Sequence, residues 1–133
     1  MNYATTLIQL YYLAVHADGE VAESELALGR QILRVENLPE GEIDRQRVEQ
    51  QNLTQAERVE RCSNALRALS RESQIRCMAW MCLIADADWV VNNDEWSVIT
   101  ALYSDTLNLP LSEIVLVQAE LNEKLREDTI RNR

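Results

Sequence analysis

Two short acidic segments contain the residues of this 133-residue chain that are best suited to bind a cation. One reads AVHADGEVAESEL (residues 14–26) and the other reads LIADADWVVNNDEW (residues 83–96). Each has an aspartate and a glutamate seven positions apart, namely Asp18 with Glu25 and Asp88 with Glu95. Clustered carboxylates without a set of histidines and cysteines suit Ca²⁺ or Mg²⁺ rather than zinc. The spacing therefore indicates a divalent-cation site built from these four acids.

Three further residues of the two segments are weaker candidate ligands: Asp86, Asp94 and His16. The spacing is not that of an EF-hand, because Val90 stands where a loop ligand would follow Asp86 and Asp88. A lone histidine is more often a surface or packing residue than a ligand. The metal prediction therefore depends on the four acids of the two pairs.

The aspartate of each pair follows a predicted helix whose apolar face it continues. Asp18 and Asp88 lie at helix C-terminal ends, where the helix dipole disfavours an anion by ~0.3–1 kcal/mol. Helical spacing also places both pairs of acids on core-facing stripes, whereas Glu20 and Glu23 face outward. A partly buried carboxylate needs an arginine or lysine, backbone N–H donors or a metal ion. Neither acidic turn contains a basic residue.

Local capping is the alternative explanation of the same residues. In the second segment Asn92 is placed as an N-cap, and Glu95 three residues later is placed to accept the N–H of that cap. In the first segment Ala22 occupies the cap position, so Glu25 lacks the reciprocal partner. Capping therefore explains the second turn better than the first, and both interpretations remain open.

The elements around these turns are predicted to be helices. The chain has only three glycines and two prolines, and it is rich in good helix formers. Thr54 and Glu57 form a capping-box pattern, and Ser70 is a further N-cap. Two Asn-Leu-Pro segments, at residues 37–39 and 108–110, are each predicted to end one helix and begin the next, and we call them the asparagine-proline turns. Seven helices are predicted, over about 3–17, 22–35, 39–50, 54–69, 70–87 and 93–106, and from 110 until the chain frays in the polar tail REDTIRNR.

A repeat relates the two halves of the chain. ADGEVAESEL aligns with ADWVVNNDEW at an offset of 70, and NLPEGEI aligns with NLPLSEI at an offset of 71. The repeat units span about 3–50 and 71–130. We therefore expect one all-α domain over residues 1–133, in which duplicated helical hairpins are related by a pseudo-two-fold axis.

Composition restricts the partners and the compartment. The net charge of −9 disfavours binding to nucleic acid and is compatible with cations or a basic protein surface. We expect no membrane insertion and a cytoplasmic location, because no apolar run approaches ~20 residues and no signal pattern is present. Cys62, Cys77 and Cys82 lack metal or redox spacing and are expected to be reduced and buried.

The pattern A-D-G-x-V-x-x-x-E, seen at Ala17–Glu25 and in relaxed form at Ala87–Glu95, resembles the TerB-like tellurite-resistance family. Trp89 stands where the pattern has glycine. The resemblance implies an all-α fold, a role in stress resistance, and metal binding at Asp18, Glu25, Asp88 and Glu95. A related domain precedes the J-domain in some membrane-anchored co-chaperones.

Enzymatic chemistry has little support in the sequence. It contains no nucleophile–base pair, phosphate-cradling glycine loop or zinc signature. The leading hypothesis is a non-enzymatic module that binds a divalent cation or a protein. A metal-free acidic scaffold for protein interaction is the alternative, and a Mg²⁺-dependent hydrolase is a distant third. Since tellurite is an anion and the surface is negative, any link to tellurite is expected to be indirect.

Overall fold

The computed structural model describes residues 3–15, 23–86 and 107–131, and all regular secondary structure in these ranges is helical. This confirms the predicted all-α class. The predicted helix over about 93–106 lies outside the described residues. The helices are α1 (Tyr3–Val15), α2 (Glu23–Val35), α3 (Glu42–Gln50), α4 (Gln55–Arg67), α5 (Arg71–Asp86) and α6 (Leu111–Arg131).

Side-chain caps fix the starts of two helices where the sequence placed them. The Thr54 hydroxyl accepts the Glu57 N–H at 3.2 Å, and the Glu57 carboxylate accepts the Thr54 N–H at 3.1 Å. This is the predicted capping box of α4. The Ser70 hydroxyl accepts the Ser73 N–H at 3.2 Å and so caps α5.

The two asparagine-proline turns share one backbone conformation. Asn37 and Asn108 have φ angles of 54° and 50°, and they are the only non-glycine residues with positive φ among those the structure describes. At the end of α2 the Leu38 N–H donates to the Leu33 carbonyl and the Asn37 N–H donates to the Arg34 carbonyl. This is a Schellman motif. The two segments that the sequence aligns at an offset of 71 thus each contain an asparagine in the left-handed conformation.

The following prolines also act alike in the two turns. The Pro39 carbonyl accepts the Glu42 N–H, and the Pro110 carbonyl accepts the Glu113 N–H, both at 3.2 Å. Each proline therefore provides the first acceptor at the start of the next helix, α3 in one unit and α6 in the other.

The core is formed where α1 packs against α5. Four residues of α1 and their counterparts 70 positions later in α5 are at most 1% exposed. They are Leu7, Ile8, Leu10 and Tyr11 in α1, and Cys77, Met78, Trp80 and Met81 in α5. Each repeat unit thus contributes one central helix to a shared core.

The C-terminal helix corrects one expectation from the sequence. The tail from residue 126 was expected to fray, but α6 continues to Arg131. The Arg34 guanidinium donates two hydrogen bonds to the Asp128 carboxylate, at 3.2 and 2.9 Å. Gln31 donates to the Thr129 hydroxyl at 2.7 Å. These contacts with α2 stabilise the last turns of α6, and their partners lie more than 90 residues apart in sequence.

The three cysteines are buried thiols that form no disulfide with one another, as predicted. Cys62, Cys77 and Cys82 are 1%, 0% and 6% exposed. Burial raises the pKa of the Cys62 thiol to about 12 and also raises that of Cys77. In the described part of the chain, each helix falls short of the length or apolarity needed to cross a bilayer.

Candidate metal centre and buried acidic clusters

Most of the predicted metal ligands lie outside the described residues. These are Asp18, Asp88 and Glu95, together with the weaker candidates His16 and Asp94. Glu25 lies in the first turn of α2 and Asp86 is the last residue of α5, and for both the structure gives only the helical backbone. The ligand set therefore stays a prediction.

The described helices fix where the two acidic turns begin. The first turn leaves α1 after Val15 and enters α2 at Glu23, and the second leaves α5 after Asp86. Both turns thus follow the C-terminal ends of the two helices that pack together in the core. Such ends carry the negative pole of the helix dipole, which favours a cation over an anion.

Basic residues are segregated away from these turns. Residues 1–29 and 77–123 contain neither lysine nor arginine, so all 13 basic residues fall in 30–76 and 124–133. Asp18, Asp88 and Glu95 are therefore at least 12 positions from any lysine or arginine, whereas Glu25 is five positions before Arg30. For these three aspartate and glutamate side chains, a neutralising charge would come from a residue distant in sequence or from a bound cation.

Buried acids in the described part of the chain do have such partners. The Glu36 side chain, 7% exposed at the end of α2, accepts hydrogen bonds from α1 and α5. Arg76 donates to both carboxylate oxygens, at 2.7 and 3.0 Å. Tyr3 donates through its hydroxyl at 2.8 Å, and Trp80 donates through its indole N–H. We call these four residues the Glu36 cluster.

The Glu36 cluster holds its carboxylate in the charged form. Burial opposes the charge, but the hydrogen bonds from Arg76, Trp80 and Tyr3 outweigh burial and lower the pKa of Glu36. Burial and the neighbouring charge of Glu36 raise the pKa of the Tyr3 hydroxyl. Both oxygens already accept strong hydrogen bonds, so this carboxylate links three helices and is not available as a metal ligand.

A second buried acid, Glu42, is the first residue of α3 and contacts α1 through Thr5. Its side chain accepts hydrogen bonds from Thr5 at 3.1 Å, from Gln46 at 3.3 Å and from the Arg45 guanidinium. Glu42 is 8% exposed. Like Glu36, it is neutralised by an arginine, which the acids of the two turns lack in their own segments.

Sequence reasoning missed both clusters, although one signal was present. Arg76 is the only charged residue between Glu72 and Asp86 on the otherwise apolar face of α5. An arginine that is partly buried by such a face requires an acid from another element, but the sequence does not say which one. In the structure this acid is Glu36, 40 residues earlier.

Within residues 3–15, 23–86 and 107–131, no cluster of three or more histidine, cysteine or acidic side chains could hold a metal ion. The acidic turns thus remain the candidate metal centre of this chain. A family model described as tellurite resistance protein TerB matches residues 4–119. No curated protein and no solved structure matches the chain.

Proposed function

The chain belongs to the TerB family of tellurite resistance proteins, and from this premise we propose that it is a non-enzymatic module that binds Ca²⁺ or Mg²⁺. The ligands in this proposal are Asp18, Glu25, Asp88 and Glu95. The supporting observation is the segregation of charge, because the turns lie in stretches without any basic residue. Where the described part of the chain buries an acid, it supplies an arginine.

Calorimetric titration of the purified protein with Ca²⁺ and with Mg²⁺ tests this proposal, preceded by elemental analysis for bound metal. We expect binding heat with at least one of the two ions. Neither metal nor heat at millimolar concentrations would contradict it. Tellurite in the same titration should give no heat, since its negative charge is repelled by a protein of net charge −9.

Amide substitutions distinguish a ligand from a cap. Glu25→Gln and Glu95→Gln keep an oxygen that accepts a backbone N–H, so the metal-free protein should lose ~0.5 kcal/mol or less per site. The charge that a hard cation requires is removed, so most of the cation-induced rise in melting temperature should disappear. The control is Glu113→Gln, an exposed acid on α6. A full cation response in both turn variants would identify the acids as caps.

An acidic scaffold that binds a basic protein surface is the second candidate. Apart from the net charge, it is favoured by exposed apolar residues on α6, where Leu111, Val115 and Leu116 are 51%, 50% and 72% exposed. An exposed apolar patch beside charged groups is typical of protein interaction sites. This candidate takes first place if the titrations show no cation binding.

A further inference from the structure

Two pairs of packed helices occupy corresponding places in the repeat units. α1 packs on α3 in the first unit, and α5 packs on α6 in the second. The offset of 70 relates Thr5 and Gln9 of α1 to Ile75 and Ala79 of α5. The offset of 71 relates Gln46 and Gln50 of α3 to Val117 and Leu121 of α6. The same positions can thus be compared in two environments.

In the second unit these positions are apolar. Ile75, Ala79 and Leu121 are 8%, 0% and 0% exposed, and Val117 is partly buried against the core. This pair of helices is therefore held together by ordinary apolar packing.

In the first unit the corresponding positions are polar and equally buried. Thr5, Gln9, Gln46 and Gln50 are 9%, 3%, 0% and 4% exposed. Gln46 donates to Glu42 at 3.3 Å, and Gln50 donates to Gln46 at 3.5 Å, near the limit for a hydrogen bond. The buried Oε1 of Gln50 has no hydrogen-bond partner. We call this contact the polar seam.

The polar seam holds α3 less firmly than its apolar counterpart holds α6. A buried hydrogen bond adds little net stability because it replaces a hydrogen bond to water, and an unsatisfied buried acceptor is destabilising. Ile43 is the one apolar residue that α3 buries. Separation of α3 from α1 would therefore expose little apolar surface.

The segments on either side of α3 are exposed, and the helix that follows has its own N-terminal cap. Glu40 and Gly41 before α3 and Gln51 and Asn52 after it are exposed. α4 begins with its own capping box at Thr54. The side-chain hydrogen bonds that oppose release include two at Thr5, which donates to Glu42 at 3.1 Å and accepts from Arg45 at 2.8 Å. Arg47 also donates to the Tyr12 hydroxyl at 3.2 Å, and Arg58 donates to the Gln50 carbonyl at 3.0 Å.

We propose that α3 is a releasable helix, which separates from α1 as a unit while α1, α4, α5 and α6 stay folded. Release uncovers the hydrogen-bonding face of α1 that contains Thr5 and Gln9. The apolar contact in the second unit indicates that this architecture does not itself require a polar seam. This inference does not depend on cation binding at the acidic turns.

Hydrogen exchange of backbone amides under native conditions tests the release. In the parent protein the amides of residues 46–50 should exchange at least about tenfold faster than those of residues 77–82 in α5, because they open without global unfolding. Equal rates for the two sets would overturn the proposal.

The repeat supplies the matched variants. The double variant Gln46→Val with Gln50→Leu introduces the residues of the second unit. It should slow amide exchange in α3 at least about tenfold. Exchange in α5 should change only as far as the global stability changes. Gln51→Leu, at an exposed residue just after α3, is the control and should have little effect. Unchanged exchange in the double variant would overturn the proposal.

A reciprocal variant keeps the test decisive if the double variant does not fold. Val117→Gln places the polar residue of the first unit into α6, where its partners are apolar. It should accelerate exchange of residues 117–121 while α4 keeps its parent rates. Unchanged exchange in α6 would show that the polarity of these positions does not control helix release.

Discussion

At the scale of single residues, the Glu36 cluster shows how a buried charge is tolerated in this core. Four donor groups from Tyr3, Arg76 and Trp80 surround one carboxylate, and they come from α1 and α5. Removing one partner of a buried ion pair is costly because it leaves the other charge uncompensated. The cluster thus connects the end of α2 to both central helices.

Glu36→Gln should lower the free energy of unfolding at pH 7 by about 2 kcal/mol, because Arg76 loses its counter-charge while the amide oxygen keeps one acceptor. Urea denaturation measures this change. Glu113→Gln is the control, since Glu113 and Arg71 are 3.6 Å apart and both more than half exposed. It should change stability by less than about 0.5 kcal/mol. Equal effects of the two substitutions would contradict the structural role of Glu36.

The same variant has a defined pH dependence. The pKa of Glu36 is lowered in the folded state, so its charge contributes stability above the unfolded pKa of about 4.3, and this is lost as the pH falls through the folded pKa. The stability difference between parent and Glu36→Gln should therefore be constant near neutral pH and shrink in acid. A difference that grows in acid would have the wrong sign.

At the scale of elements, the two asparagine-proline turns provide an internal comparison. Asn37 and Asn108 adopt the left-handed conformation, which costs residues with a Cβ atom ~1–2 kcal/mol and suits glycine best. Asn37→Ala and Asn108→Ala should each lower the free energy of unfolding by about 1 kcal/mol, whereas the glycine variants should be neutral or slightly stabilising. Asn64→Ala in α4 is the control, because Asn64 is an exposed helical residue. A glycine variant less stable than its alanine counterpart would refute the assignment.

Sequence patterns over a few residues predicted where helices begin, whereas features that depend on contacts between distant helices were not predicted. The caps at Thr54 and Ser70 depend on residues three positions apart and could be identified from sequence. The order of the C-terminal turns depends on Arg34 and Asp128, which lie 94 residues apart. The Glu36 cluster likewise requires α2 and α5 to be neighbours. The metal site at the acidic turns remains a prediction, since three of its four ligands lie outside the described residues and only the backbone of Glu25 is described.

At the scale of the whole molecule, the core determines how the thiols react. All three cysteines are at most 6% exposed, and the raised pKa of Cys62 keeps its thiol protonated at neutral pH. Labelling with a thiol reagent under non-reducing conditions should find three reactive thiols per chain in denaturant and slow reaction in the native protein. One reactive thiol in denaturant would mean a disulfide and would contradict the structure.

The shared core has a consequence for the two halves of the duplication. α1 belongs to the first unit and α5 to the second, yet each covers the apolar face of the other. Within its own half each central helix is covered only in part, and its remaining apolar face is buried against the central helix of the other half, so each fragment alone should lose most of its stability. A cut at the exposed Ala68 between α4 and α5 should give two fragments that fold only when mixed, with a helical circular dichroism signal that depends on their concentration. The duplicated chain thus resembles a covalently linked dimer in which each half depends on the other for a stable core.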